Sequence, residues 1–328
     1  MRMWNFGTYA VTSCVAAASL PGCGGLPFDS AQAAAIPQSR AIAGRVDGRG
    51  SWMSPSTERG DLLYISDAKS AEVYVYRLRD LKLSGTLAGF SYPGGECSDG
   101  RGNVWITDAS RIVEYAHGGT SPISVLIDPN VYAGSCSVDP SSGNLAVTNL
   151  FTVGSGQGSV AIYKGASGSP AIYEDSSMYY VYFCGYSSTG ELYVDGMSSA
   201  GAFVFAELPK GSSRFTNITL NVPIAFPGSI QWDGHHVTTT PQAPTDNAIY
   251  RLKISGSTGS VIGKTRLRPS SCAPVQTWIA GAKIASSCPD PSGDSTVDLW
   301  NYPSGGRPTQ SGPGSSEPAG TTISVVPR

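Results

Sequence analysis

This sequence predicts an all-β chain, a six-bladed β-propeller with four-stranded blades whose ring is closed by a C-terminal strand, and three observations predict it. A short apolar segment ending in a polar residue recurs along the chain, each copy followed by a run of alternating apolar and polar residues. Gly (40) and Pro (23) are dense among the 328 residues, which punctuates helices. Only 14% of residues are charged, against about 25% usually, too few for a coiled coil or a solvated helical array.

The first copy is Asp61-Leu62-Leu63-Tyr64-Ile65-Ser66-Asp67, followed by Glu72-Val73-Tyr74-Val75-Tyr76. Asn103-Val104-Trp105-Ile106-Thr107-Asp108 leads to Arg111-Ile112-Val113-Glu114-Tyr115. Asn144-Leu145-Ala146-Val147-Thr148-Asn149 leads to Ser159-Val160-Ala161-Ile162-Tyr163, and Glu191-Leu192-Tyr193-Val194-Asp195 to Ala202-Phe203-Val204-Phe205-Ala206. Two later copies, beginning at His235 and Ala282, are degenerate. The terminal polar residues 67, 108, 149 and 195 stand about 41–46 apart, the period of a four-stranded blade. In the second unit the strands fall at 96–99, 104–108, 112–115 and 124–127. A β-sandwich does not repeat at this length, and a parallel β-helix repeats at a shorter one. Glu317-Pro318-Ala319-Gly320-Thr321-Thr322-Ile323 resembles the blade-opening Tyr92-Pro93-Gly94-Gly95-Glu96-Cys97, so the C-terminus adds a strand to the N-terminal blade and removes an open edge. Trp52-Met53 competes for that sheet, and which strand is innermost stays open.

Residues 1–23 read as an export signal: Arg2, an uncharged stretch, then Leu20-Pro21-Gly22-Cys23, the pattern of a lipobox with Cys23 as the lipid-attachment residue. Cleavage at Ala31-Gln32-Ala33, releasing a soluble protein, is the alternative, and Val11-Thr12-Ser13-Cys14 is a looser lipobox. The stretch is too polar for a transmembrane anchor. Residues 24–50 read as a flexible tether and 51–328 as the propeller domain, monomeric and held to the membrane through the lipid only. A net charge of −2 without a basic cluster argues against a nucleic-acid partner.

The segments Asp61 to Asp67, Gly94 to Asp108, Ile112 to Pro122 and Ala206 to Leu220 resemble an uncharacterised group of bacterial lipoproteins with NHL/YVTN-like propellers. That resemblance implies a fold and a location in the cell envelope, and no activity. More distantly the ring is similar to gluconolactonase/regucalcin and streptogramin-lyase propellers. The lactonases hold a divalent metal over the channel; Glu96, Asp99, Asp139 and Asp233 are the oxygen ligands this chain could offer, without a residue-by-residue match. The lyases need paired histidines, whereas His117, His235 and His236 read as solvated turn residues. Gly259-Ser260-Val261-Ile262-Gly263-Lys264-Thr265 is one residue short of a phosphate loop and lies in a strand pattern. Tyr92, Tyr132 and Tyr179 fall near blade junctions, where packing between blades competes with stacking on a ligand.

Cys97, Cys136 and Cys184 align as equivalent positions of three consecutive blades, too far apart for a disulfide among them. Cys272 and Cys288 differ: with the turn at Ala280-Gly281, the hairpin register sets them opposite one another as a disulfide. The reading that emerges is a binding scaffold for a protein, peptide or glycan, with no cofactor unless a divalent metal binds. A metal-dependent lactonase-like or lyase-like enzyme and a purely structural envelope component are the alternatives.

Overall fold

The computed structural model describes residues 50–326 apart from 129–130, 155, 243–246, 270–271, 273 and 290–294. The export signal, Cys23 and all of the tether but Gly50 lie outside the described residues.

Six sheets, four of four strands and those of blades 1 and 5 of five, follow one another and close as the ring of a six-bladed β-propeller. They are antiparallel but for Thr219–Leu220, which lies parallel to Thr258–Arg266 at the outer edge of blade 5. Blade 2 sets the pattern: an inner strand at the axis, Pro93–Ser98, then Val104–Asp108, Arg111–Tyr115 and an outer strand, Pro122–Ile127. The inner strand begins at Pro93 rather than at Glu96. The inner strands of blades 3 to 6 are Val131–Val138, Tyr180–Tyr186, Gly228–Trp232 and Thr277–Ala280. In blade 1 the inner strand is the C-terminal one, Pro318–Ser324, antiparallel to Leu62–Asp67 with Ile65 opposite Thr321. Trp52–Met53 lies outermost in that sheet, paired with Leu83–Leu87, which answers the question the sequence left open. The segment like a phosphate loop lies inside the strand Thr258–Arg266. Among the described residues the only helical turns are short 3-10 turns at Pro55–Arg59 and Lys164–Ala166.

The recurring apolar segments are the second strands, and both of their faces are buried. Leu62 and Tyr64 pack with Val104 and Ile106 of blade 2, whereas Leu63 and Ile65 pack with Ala285 and Leu299 of blade 6. Every junction between blades holds such a cluster, so the core is a ring of six, each buried Leu or Ile contributing about 1.5–3 kcal/mol. Hydroxyls sew the junctions nearer the axis. Ser66, Thr107 and Thr148 donate to the carbonyls of Gly94 (2.5 Å), Gly134 (3.1 Å) and Tyr182 (2.7 Å), each in the inner strand of the next blade.

Blade 4 departs from the expected alignment by one residue. Leu192 and Val194 face blade 3 as Leu145 and Val147 face blade 2, so Asp195 occupies the place of Thr148, not of Asn149. Its carboxylate performs the same stitching, accepting the N–H groups of Phe183 (3.0 Å) and, in blade 5, Gly228 (2.9 Å).

The same one-residue logic corrects the cysteines. Cys97 and Cys136 form a disulfide across blades 2 and 3, with Cα atoms 5.5 Å apart. They are not equivalent. Cys136 lies opposite Val147 and Cys184 opposite Val194; the matching partner in blade 2 is Ile106, which faces Glu96. Successive residues of a strand point to opposite faces. Cys136 and Cys184 therefore both face the preceding blade, their Sγ atoms near the carbonyls of Trp105 and Ala146, while Cys97, one place out of step, faces the following blade and meets Cys136. Inner strands converge closely enough for this: a Cβ on Gly95 would lie 2.8 Å from Cα of Ser135. Cys272 and Cys288 are also joined, with Cα atoms 4.9 Å apart, by a geometry other than the expected hairpin register. The strands pair Thr277 with Ser286 and Ala280 with Lys283, so Cys272 reaches Cys288 from the segment before the inner strand. Cys184 is buried and unpaired.

Candidate functional site

Inner strands end on one face of the ring, where short turns lead back into the second strands. Asp99, Asp139 and Asp233 each open one of these turns. Asp99 accepts the N–H groups of Arg101 and Asn103 (both 2.9 Å), Asp139 that of Ser141 (2.8 Å), and Asp233 those of His235 (2.9 Å) and His236 (2.7 Å). Ser187 does the same work in blade 4 with the N–H groups of Thr189, Gly190 and Glu191. These are side chains capping their own turns. Burial acts to raise the Asp139 and Asp233 carboxyls, but hydrogen bonds from Ser142 and Ser141 to the first and from Tyr302, His235 and His236 to the second hold both below the usual range.

Glu96 is of another kind. It is fully buried and faces blade 1, and neither carboxylate oxygen has a hydrogen-bond partner among the described residues. Burial, only partly offset by the nearby Thr322 N–H, raises its pKa well above the ordinary value. The structure does not bring Glu96, Asp99, Asp139 and Asp233 together. Among the described residues no three His, Cys, Asp or Glu groups lie close enough to hold a metal ion. The donor set does not fit a divalent cation, since the three aspartates are engaged by turn N–H groups and Glu96 points away from the axis.

What the turns surround is a cavity of about 990 Å³ that opens on this face and runs up the ring axis. Blades 2 to 6 line it and no residue of the closing strand does. Gln276 explains why. Its side chain accepts the N–H groups of Glu96 (2.9 Å) and Thr321 (3.0 Å) and donates to the Glu96 carbonyl (2.7 Å), spanning blades 6, 1 and 2. Trp105, Trp232 and Trp278 are in the wall, and Trp278 crosses from blade 6 to pack against the Cys97–Trp105 cluster. The indole N–H groups of Trp105 and Trp232 are buried without a partner among the described residues. Asp99 and Asp139 stand at the mouth.

Sequence reasoning missed the tryptophans as a group. The available clue was Trp105, which falls on a second strand where other blades have Tyr64, Ala146, Tyr193 and Ala285. Of the histidines, His235 is exposed, but His117 is half-buried with Nδ1 2.7 Å from Ser324 Oγ of the closing strand, and burial lowers its pKa. Tyr92, Tyr132 and Phe151 pack on one another with ring centroids 5.6 Å and 5.4 Å apart, a junction contact between blades 2 and 3.

No family model matches the sequence, and no curated protein is similar to it. Solved structures are similar in fold. One chain of a nidogen/laminin complex superposes with a TM-score of 0.64 at 12% identity, covering 81% of this chain and 99% of that one. A protein of unknown function from Bacteroides caccae gives 0.59 at 7% identity, covering 80% and 98%. At such identities the likeness is one of fold alone.

Proposed function

We propose that this protein is an extracytoplasmic binding module whose ligand enters the axial cavity from the face carrying the turn-capping aspartates. The observation that carries this reading is the cavity itself, a hollow of about 990 Å³ walled by three tryptophans and lined by the fixed amide of Gln276. A concave site with aromatic walls and a few fixed polar groups is where a ring of this kind recognises a molecule. The two disulfides fit an oxidising compartment, and the sequence supplies a matching address in the lipobox ending at Cys23, with residues 24–50 as the tether. No described helix is long and apolar enough to cross a membrane.

The test seals the mouth. Gly100 lines the cavity, is exposed, and has nothing within 4 Å of a Cβ built on it, so the backbone there accepts a side chain and Gly100→Trp narrows the opening. Ser188 is exposed across the mouth and takes the same change. Glycan and peptide arrays probed with the wild type and with Gly100→Trp/Ser188→Trp should give signals that the sealed variant loses. Signals that sealing leaves unchanged would place binding elsewhere on the ring. Calcium, manganese and zinc should leave the melting temperature unchanged; a shift abolished by Asp139→Asn would instead favour metal-dependent hydrolysis or lysis.

A further inference from the structure

The axial cavity does not stop at the ring axis. Asp139, Ser142 and Tyr186 line both it and a second hollow of about 230 Å³ between blades 3 and 4, which ends at Lys210. The two form one groove from axis to rim. Its charged residues stand at the mouth, and most are already engaged. Glu114 accepts from the Asn103 amide (3.0 Å), and the Lys210 ammonium donates to Ser141 Oγ (3.3 Å) and to the Thr189 carbonyl (2.9 Å). Deeper in, the lining is uncharged: indoles, the hydroxyls of Ser135 and Ser229, and the amides of Gln231 and Gln276.

That lining selects a chemistry. A ligand with a fixed charge would be stripped of water without a counter-charge, and a wholly apolar one would take water from the serine hydroxyls and the Gln231 amide without replacing its hydrogen bonds. An extended peptide binds by completing a backbone edge. Here the N–H groups of Tyr186, Thr277 and Ile279 on the inner strands are already taken by Ser137 Oγ (3.0 Å), Ser229 Oγ (2.7 Å) and Gln231 Oε1 (2.6 Å). A pyranose matches what is left. Its C–H face packs on an indole, and its hydroxyls bond to Ser135 Oγ and to the lone pairs that Ser229 Oγ and Gln231 Oε1, with one N–H donor each, still offer. Resting on the reading of the cavity as the binding site, we propose that the ligand is a neutral oligosaccharide, one ring against the tryptophans and the chain running out between blades 3 and 4 past Lys210.

The experiment titrates the folded, disulfide-bonded protein with cello-, malto- and chito-oligosaccharides, as disaccharides and hexasaccharides, by tryptophan fluorescence and calorimetry. At least one series should bind, its hexasaccharide about tenfold tighter than its disaccharide. Lys210→Ala should erase the length advantage and leave the disaccharide unchanged. Trp232→Leu, which keeps an apolar side chain and removes the aromatic face, should weaken both. No response to any series at millimolar concentration overturns the ligand class, as does a neutral peptide binding in their place. If that peptide is lost in Gly100→Trp, the cavity reading stands while the sugar does not. A sugar that binds Gly100→Trp as well as the wild type overturns both.

Discussion

The one-place stagger between Cys97 and Cys136 predicts a disulfide that the protein does not have. Ser137 holds in blade 3 the place of Cys97 in blade 2, and Cys184 holds in blade 4 the place of Cys136. Ser137→Cys should therefore link to Cys184 and join blades 3 and 4 as the native bond joins 2 and 3. The closed loop is slightly longer than the 39-residue one between Cys97 and Cys136, so restriction of the unfolded chain is worth about 4 kcal/mol. Against this stands the Ser137 hydroxyl that accepts the Tyr186 N–H at 3.0 Å, a loss of about 1 kcal/mol. The net gain is about 3 kcal/mol at most, or roughly 4–5 °C in melting temperature for a chain of this size. Burial pushes the Cys184 thiol far above its usual range, so thiolate is scarce once the ring has closed and the variant must be folded under oxidising conditions. Non-reducing peptide mapping finds the link and melting with and without reductant measures it. Val138→Cys is the control, since Val138 packs toward blade 2 and should leave Cys184 reduced. A reduced Cys184 in Ser137→Cys, or a link in Val138→Cys, would refute the facing argument.

Four further outcomes follow from the same contacts. Replacing Cys97 and Cys136 by Ala should cost about 4 kcal/mol and replacing Cys272 and Cys288 about 3, by their loops of 39 and 16 residues, as read from denaturant midpoints. Thr148→Val removes the acceptor of the Ser135 N–H (2.8 Å) and the donor to Tyr182 O (2.7 Å), and should lower stability by about 1–3 kcal/mol in the same assay. Glu96 has a raised pKa, so the folded protein keeps a proton that the unfolded chain loses above about pH 4.3; stability is whole below that pH and falls as pH rises toward the folded value. Glu96→Met, of similar shape and without unpaired oxygens, should raise stability above about pH 5 by about 1–3 kcal/mol and flatten that alkaline slope. Asp139 and Asp233 have lowered values and act oppositely: their contribution is present above about pH 4 and lost as pH falls, so Asp139→Asn and Asp233→Asn should shrink the acid limb of the pH–stability profile.

The second strands were legible because each is buried on both faces and sits at nearly constant spacing, which leaves an apolar run with a polar end. Inner strands were harder to place. Bulges interrupt their pairing between Pro93 and Glu96 and between Val181 and Phe183, and the turn that follows spans 139–144 in blade 3 against 99–103 in blade 2. Counting back from the second strand across turns of unequal length put Cys97 in line with Cys136, where Glu96 belongs. One residue in a strand is the difference between facing away and facing a partner. For the cavity, the aspartates drew attention because lactonase propellers hold a metal with such oxygen ligands. The tryptophans that wall the hollow are scattered over three blades, and only the ring brings them to one axis.

A six-fold ring also carries its own control experiment. A feature that recurs at equivalent places with equivalent partners serves the ring, since every junction and every turn poses the same unpaired N–H groups. Asp99, Asp139, Ser187 and Asp233 pass that test as turn caps, and Ser66, Thr107, Thr148 and Asp195 pass it as junction stitches. The residues that break the repeat are few. Trp105 stands where blades 1, 3, 4 and 6 have Tyr64, Ala146, Tyr193 and Ala285, and Trp278 of blade 6 packs against the cluster between blades 2 and 3. Gln276 bridges three blades. These exceptions converge on a single hollow, and that convergence, more than any one side chain, is why the axis is the place to look for a ligand.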